Sequence, residues 1–147
     1  MRVLLQRVSE ARVEVDARVV GAIGPGLLLL AGFENADNEK DLDWMAGKIS
    51  RLRVFPDEQG VMNRSVRDCG GQVLAVSQFT LFGDCTSGNR PSWSRAAHGE
   101  ISQPLFDAFR SILRDRLQGC LGLDHAVTET GQRIEHLQVD VAGGRIR

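Results

Sequence analysis

Three hydrogen-bonding side chains end an otherwise apolar stretch, LAVSQFTLF at residues 74–82. They are Ser77, Gln78 and Thr80. If the stretch is a strand, side chains alternate between its two faces, so Gln78 and Thr80 share one apolar face. An amide or hydroxyl buried there without a partner costs about 1–3 kcal/mol. Either a neighbouring backbone or a bound ligand must satisfy these groups, and spacing alone does not choose between them.

The usual side-chain mechanisms of hydrolysis find little support in the sequence. A serine hydrolase needs an activated serine and a histidine that takes its proton. Ser77 lacks the Gly-x-Ser-x-Gly turn, and His98 would have to reach it through the fold. The acids of residues 34–43 lie where a helix begins and complement its dipole rather than forming a catalytic pair. An enzyme built from these residues works by positioning and hydrogen bonding.

No metal or other cofactor is expected. The cysteines are odd in number and contain no Cys-x-x-Cys pair, so neither a disulfide framework nor a zinc site is indicated. The histidines show no metal-ligand spacing and are expected at the surface. These residues are Cys69, Cys85, Cys120, His98, His125 and His136.

Length and composition indicate a single cytoplasmic domain over residues 1–147. With 42% apolar and 25% charged residues the chain resembles an ordinary soluble globule. No stretch approaches the roughly 20 apolar residues that span a bilayer, and charge comes too early in the chain for a signal peptide. A net charge of −1 argues against a general nucleic-acid binder. A local basic patch of Arg64, Arg67, Arg90 and Arg95 stays open, against the alternative of a solvated face.

Hydrophobic periodicity predicts a mixed α/β domain. Strands are expected at residues 3–20 (two, around a turn), 27–32, 53–55, 74–82 and 137–141, with a turn at 21–26 and a short edge strand after the turn at 56–63. A first helix has Asn38 as cap and a buried side over residues 42–52, and a second has Ser102 as cap and Gly119 as stop. We predict a three-layer α/β/β arrangement with mixed sheets and with residues 74–81 as a central strand, because that segment is apolar on both faces before its polar end.

Several segments of the sequence, in order, resemble one protein family. They are LLQRVSEARVEVD, VVGAIGPGLLLLAG, RVFPDEQGVMNRSVRDCGGQVLAVSQFTLFGD and GNRPSW. The chain resembles the D-aminoacyl-tRNA deacylases over residues 1 to about 132, where ETGQ ends the match. The SQFTL segment is the signature of that family, and the order and spacing of the other segments make the resemblance specific.

The resemblance implies hydrolysis of the ester that joins a D-amino acid to the 3′ end of tRNA, which serves chirality proofreading. It also implies removal of glycine mischarged on tRNA-Ala. The expected partners are aminoacyl-tRNA and a second copy of the chain in a homodimer, with no membrane, DNA or cofactor. The alternative is a catalytically degenerate relative that binds tRNA ends or another partner without hydrolysis.

The resemblance also assigns the site. Gln78 and Thr80 are the expected catalytic residues, while Ser77, Phe79 and Arg7 are expected to bind substrate. Thr80 is either a nucleophile or a positioning group, and we favour positioning because the sequence shows no base beside it. The backbone N–H groups of Phe79 and Thr80 are then expected to stabilise the oxyanion.

The C-terminal part departs from the family pattern. A Phe-Gly-Ala segment is replaced by residues 133–136, Arg-Ile-Glu-His, and the Gly-Pro pair that enters the partner subunit's site is missing. Arg145-Ile146 occupies its place in ungapped register, and Gly143-Gly144 is the nearest glycine-rich piece. The resemblance assigns Arg7 to holding that pair. We therefore expect weakened discrimination against L-aminoacyl-tRNA.

Overall fold

The computed structural model describes residues 1–117 and the backbone of residues 138–142. Its strands are β1 (Arg2–Val8), β2 (Glu10–Val15), β3 (Arg18–Ile23), β4 (Gly26–Gly32), β5 (Phe55–Pro56), β6 (Met62–Arg64), β7 (Gln72–Ser77) and β8 (Gln138–Ala142). The helices are α1 (Glu39–Arg51) and α2 (Gly99–Arg116), and a single 3-10 turn, Phe79–Phe82, follows β7. No helix in the described ranges is long and apolar enough to cross a membrane.

The described strands form two three-stranded sheets and a hairpin. In the first sheet β4 lies between β1, which is antiparallel to it, and β7, which is parallel to it. In the second sheet β2 lies between β3 and β8, both antiparallel. The strands β5 and β6 pair separately. The parallel β4–β7 pair therefore lies within a mixed sheet, as predicted.

The apolar residues of β4 divide between two cores, which creates the layers. Leu27 and Leu29 pack with the helix side chains Phe106 and Phe109 in one core. Leu28 packs in the other core with residues of the second sheet, including Val13. Because side chains alternate along a strand, the first sheet is buried on both faces. The three-layer α/β/β prediction is confirmed.

The two helices begin by different means. Asn38 caps α1 as predicted: its side chain accepts a hydrogen bond from Lys40 N at 3.1 Å, and its own N–H donates to Asp41 at 3.0 Å. For α2 the predicted cap at Ser102 is wrong. The carbonyl of His98 already accepts bonds from the N–H groups three and four residues later, so His98 is the cap. The predicted stop at Gly119 lies outside the described residues.

Three strand predictions need correction. Residues 2–23 form three strands rather than two, with Asp16 and Ala17 at positive φ in the tight turn between β2 and β3. The predicted turn at 21–26 is shorter, because residues 21–23 belong to β3. The strand predicted for 74–82 ends at Ser77, and among the described strands it is the outer one of its sheet, not a central one. The N–H of Gln78 still bonds the Ala31 carbonyl, and beyond that the register leaves only Gly32, the last residue of β4, as a partner.

Candidate active site

The chain leaves β7 through an extended residue and closes at once into the 3-10 turn. The N–H of Gln78 makes one more ladder-like bond, to the carbonyl of Ala31 at 2.7 Å. The carbonyl of Gln78 then accepts from Leu81 N, and that of Thr80 accepts from Gly83 N at 3.0 Å. The turn thus presents Phe79 and Thr80 to solvent while it buries Phe82.

The side chains of Gln78 and Thr80 are joined directly. Gln78 Nε2 donates a hydrogen bond to Thr80 Oγ1. The structure therefore brings together the two residues predicted to be catalytic, although through the turn rather than through a shared strand face. Among residues 1–117, no histidine or carboxylate hydrogen bonds the Thr80 hydroxyl. A nucleophile needs such a base within hydrogen-bonding reach, so the described part favours a positioning role for Thr80.

Two backbone donors at the start of the turn have no acceptor within it. The first amide that bonds inside the turn is that of Leu81, whose acceptor is Gln78 O. The N–H groups of Phe79 and Thr80 come before it, and the first amides of any helical turn lack intrahelical partners. Adjacent backbone donors of this kind are the groups that stabilise a developing oxyanion in acyl transfer.

The turn rests on a glycine that the sequence reasoning did not identify. A Cβ added at Gly32 would lie 2.8 Å from the carbonyl oxygen of Gln78 and 3.2 Å from the Phe82 ring. Arg2, which pairs with Gly32 across β1 and β4, donates from Nη1 to the Leu81 carbonyl at 2.8 Å. Only the strand register brings Arg2 here, and no local sequence signal marks it.

The GNRPSW segment is held against the SQFTL segment. Asp84 and Ser92 exchange two backbone hydrogen bonds, at 2.8 and 2.9 Å, which close the loop between them. The Thr86 N–H and hydroxyl donate to the carboxylate of Asp84 and hold the pKa of that carboxyl below its usual range. Beyond the loop, the Trp93 ring meets the exposed Phe79 ring edge to face, with centroids 6.0 Å apart. Two of the stretches that carry the family resemblance, SQFTL and GNRPSW, therefore meet at one surface.

Arg7 lies at the other end of the first sheet. It pairs with Leu27 on β4, whereas Ser77 pairs with Ala31, four residues and about 13 Å further along the strand. Its Nη1 donates to the carbonyl of Val54 at 2.6 Å. Within one chain Arg7 is not brought to the turn, while Ser77 lies beside it. The substrate-binding roles of both residues stay predictions.

Other candidate residues lie apart from the turn or have structural partners. His98 caps α2, and Cys69 and Cys85 are exposed and form no disulfide. In the described ranges, no group of three metal-ligating side chains comes together. In the predicted basic patch, Arg95 pairs with Glu34 at 3.3 Å and Arg64 donates to the carbonyl of Asp68 at 2.6 Å.

Proteins whose family is known are similar to this chain over most of its length. The family model described as D-Tyr-tRNA(Tyr) deacylase matches residues 4–143. The chain belongs to this deacylase family. A D-aminoacyl-tRNA deacylase of Dechloromonas aromatica is 70% identical over 133 residues, which cover 87% of this chain and 89% of the relative. One of Chromobacterium violaceum is 62% identical over the same shares of the two chains.

Solved structures carry the same deacylase fold. The c-Myc DNA Unwinding Element Binding Protein superimposes with a TM-score of 0.81 at 34% identity, covering 96% of this chain and 91% of that one. A probable eukaryotic D-amino acid tRNA deacylase superimposes with a TM-score of 0.67 at 19% identity, covering 78% and 67%. Membership of the deacylase family confirms two predictions, the fold class and an enzyme that hydrolyses carboxylic esters.

Proposed function

We propose that the chain hydrolyses the ester bond of D-aminoacyl-tRNA and releases the free D-amino acid and tRNA. The observation that carries this proposal is the turn at Phe79–Phe82, in a chain whose relatives are named D-aminoacyl-tRNA deacylases. The turn leaves two adjacent backbone donors without an acceptor among residues 1–117, beside the hydrogen-bonded pair of Gln78 and Thr80. Ester hydrolysis needs stabilisation of an oxyanion more than it needs any particular side chain.

The proposed chemistry is direct attack by water. The water oxygen bonds to the ester carbonyl carbon, and the N–H groups of Phe79 and Thr80 stabilise the negative charge that develops on the carbonyl oxygen. The bond to the ribose oxygen then breaks, and that oxygen takes the proton that the water loses. The adjacent ribose 2′-hydroxyl assists the proton transfer. Gln78 and Thr80 fix the geometry of the turn and of the bound ester without taking the proton.

The substrate is held by its 3′ end. Phe79, which is 56% exposed, and Trp93, which is 40% exposed, form an aromatic surface, and Phe79 carries one of the two donor amides. Exposed aromatic rings are the groups on which unpaired nucleobases stack. Chirality proofreading in the cytoplasm and removal of glycine from tRNA-Ala belong to the same proposal. Release of glycine from glycyl-tRNA-Ala is the assay for the second of these activities.

The proposal includes one domain over residues 1–147 and a homodimer with Arg7 near the subunit boundary. Arg7 lies far from the turn within its own chain, so it serves the site only if a second subunit brings it there. An exposed apolar residue on the same strand, Leu4 at 53% exposure, is consistent with a covered surface. Light scattering at micromolar concentration should give twice the chain mass. A monomer alone would contradict this part of the proposal.

A second candidate is binding without hydrolysis, which the missing Gly-Pro pair favours. Incubation with D-aminoacyl-tRNA, followed by quantification of free amino acid, distinguishes hydrolysis from binding without hydrolysis. Release well above the rate in buffer supports hydrolysis. Retention of tRNA on the protein, with release no faster than in buffer, supports the binding function and contradicts the enzymatic one.

A further inference from the structure

Arg2 makes two contacts with the end of the proposed catalytic turn. Its Nη1 donates to the carbonyl of Leu81 at 2.8 Å, and its guanidinium carbon lies 4.6 Å from the centroid of the Phe82 ring. The first contact is a hydrogen bond from a charged donor, and the second lies within the range of a cation–π interaction. The hydrogen bond is made to Leu81 and the ring contact to Phe82, and these two residues directly follow Phe79 and Thr80.

The start of the turn is fixed separately from its end. Gln78 N donates to the Ala31 carbonyl at 2.7 Å, which ties the start of the turn to β4. At the far end the Phe82 ring rests against Gly32, whose β1 partner is Arg2. The guanidinium of Arg95 lies 5.9 Å from the same ring, further out than that of Arg2. The amides of Phe79 and Thr80 therefore lie between two anchors, and Arg2 supplies one of them.

We propose that Arg2 is a positioning residue for deacylation, acting by holding Leu81 and Phe82 so that the amides of Phe79 and Thr80 keep one orientation. The proposal rests on the function proposed above. A planar guanidinium suits the role because it donates in a fixed geometry while its face covers a ring. If the anchor is lost, the turn can rotate away from the geometry that the oxyanion requires. Misplacement of reacting groups by about 1 Å can cost on the order of a hundredfold in rate.

A different role for Arg2 would be direct contact with a tRNA phosphate. The two roles predict different effects of losing Arg2 on kcat and KM. A lost phosphate contact weakens binding and reduces its salt dependence, so KM rises while kcat stays constant. A lost anchor lowers kcat, because the oxyanion forms only in the transition state, and leaves KM almost constant.

The test compares Arg2→Met, Arg2→Lys and Arg18→Met with the wild-type protein. Arg18 is an exposed arginine at the start of β3, in the other sheet, and serves as the matched control. Steady-state deacylation of D-aminoacyl-tRNA gives kcat and KM at two salt concentrations. Amide NMR shifts of Phe79 and Thr80 provide a readout that does not depend on activity.

We expect Arg2→Met to lower kcat by about tenfold to a hundredfold with KM within about twofold. Arg2→Lys, which keeps a cation and one donor, should recover most of the loss, and Arg18→Met should match the wild type. The shifts of the Phe79 and Thr80 amides should move in Arg2→Met only. Unchanged kcat and amide shifts, or a rise in KM alone, would overturn the proposal. An inactive wild-type protein would instead refute the proposed function, and the amide shifts would still test the anchor.

Discussion

The side-chain amide nitrogen of Gln78, Nε2, donates a hydrogen bond to the hydroxyl oxygen of Thr80. An amide accepts no proton near neutral pH, so this pair supplies no general base. The bond instead fixes two side chains against each other at the point where the chain turns out of β7. Within the described residues, the groups best suited to stabilise a reacting ester are therefore backbone amides.

Gly32→Ala should disturb the turn by adding a methyl group where β4 packs against it. The added methyl group would lie 2.8 Å from the Gln78 carbonyl oxygen and 3.2 Å from the Phe82 ring. Because the carbonyl oxygen belongs to the backbone, it can move away only if the turn moves with it. Overpacking of this kind costs about 1–3 kcal/mol of unfolding free energy. We expect a lower midpoint of thermal unfolding together with a lower deacylation rate.

Gly99→Ala is the matched control for that substitution. A Cβ at Gly99 meets nothing within 4 Å, and the residue begins α2, where alanine is favourable. Its unfolding midpoint should equal or exceed that of the wild type. If Gly32→Ala unfolds and reacts like Gly99→Ala, the close approach of the turn to β4 is not a constraint in solution.

Acid should destabilise the segment that leads into β7. Ser65 donates its N–H, at 2.8 Å, and its hydroxyl, at 2.7 Å, to the carboxylate of Asp68 and so holds the pKa of Asp68 below its usual range. A carboxyl whose pKa is lower in the folded state stabilises that state above the unfolded pKa, and the contribution is lost as pH falls through the folded pKa. The unfolding midpoint should therefore drop as the pH falls below the ordinary aspartate pKa of 3.8 and through the lower folded pKa of Asp68.

Asp68→Asn isolates this contribution. The variant should be less stable than the wild type at neutral pH, and the difference should narrow as the pH falls through the same range. Asp16→Asn serves as control, because Asp16 lies in an exposed turn at φ 49, a conformation that asparagine also adopts. A difference for Asp68→Asn that stays constant with pH would show that the carboxylate is not responsible.

Layering and helix placement could be predicted from local patterns, because burial repeats regularly along strands and helices. The run at residues 27–31 and the cap at Asn38 both show this. The turn after Ser77 could not. Phe79, Leu81 and Phe82 suit a strand, but the neighbouring β4 extends only one residue, Gly32, beyond the last residue that pairs with β7. A non-local cause of this kind leaves no mark on the segment itself.

The same distinction applies to the candidate site. The resemblance named Gln78 and Thr80, and the structure joins them. Gly32 reaches the turn through the pairing of β4 with β7, and Arg2 reaches it through the pairing of β1 with β4, so neither could be found from its neighbours in sequence. The predicted replacement of the Gly-Pro pair, at residues 143–146, lies outside the described residues.

Discrimination between enantiomers should be weaker than in a relative that carries the Gly-Pro pair. Proline locks φ and restricts the residue before it, so the pair presents its carbonyl oxygens in one geometry. Neither Arg145-Ile146 nor Gly143-Gly144 contains a proline that would supply such a lock. Each 1.4 kcal/mol of lost discrimination lowers specificity about tenfold. The measurement is the ratio of deacylation rates on D- and L-aminoacyl-tRNA for both proteins, and equal ratios would contradict the expectation.

The central claim is that backbone amides of the turn, not the Thr80 hydroxyl, carry ester hydrolysis, and the most direct test is the deacylation rate of three variants. Thr80→Ala removes the hydroxyl and keeps both amides. Phe79→Pro removes one N–H at a position that tolerates proline, after an extended Gln78 at φ −143, while Phe79→Ala controls for loss of the ring. We predict measurable hydrolysis of D-aminoacyl-tRNA by Thr80→Ala and Phe79→Ala and none above background by Phe79→Pro. A folded Thr80→Ala protein without activity, beside an active Phe79→Pro, would contradict the account and identify Thr80 as the nucleophile.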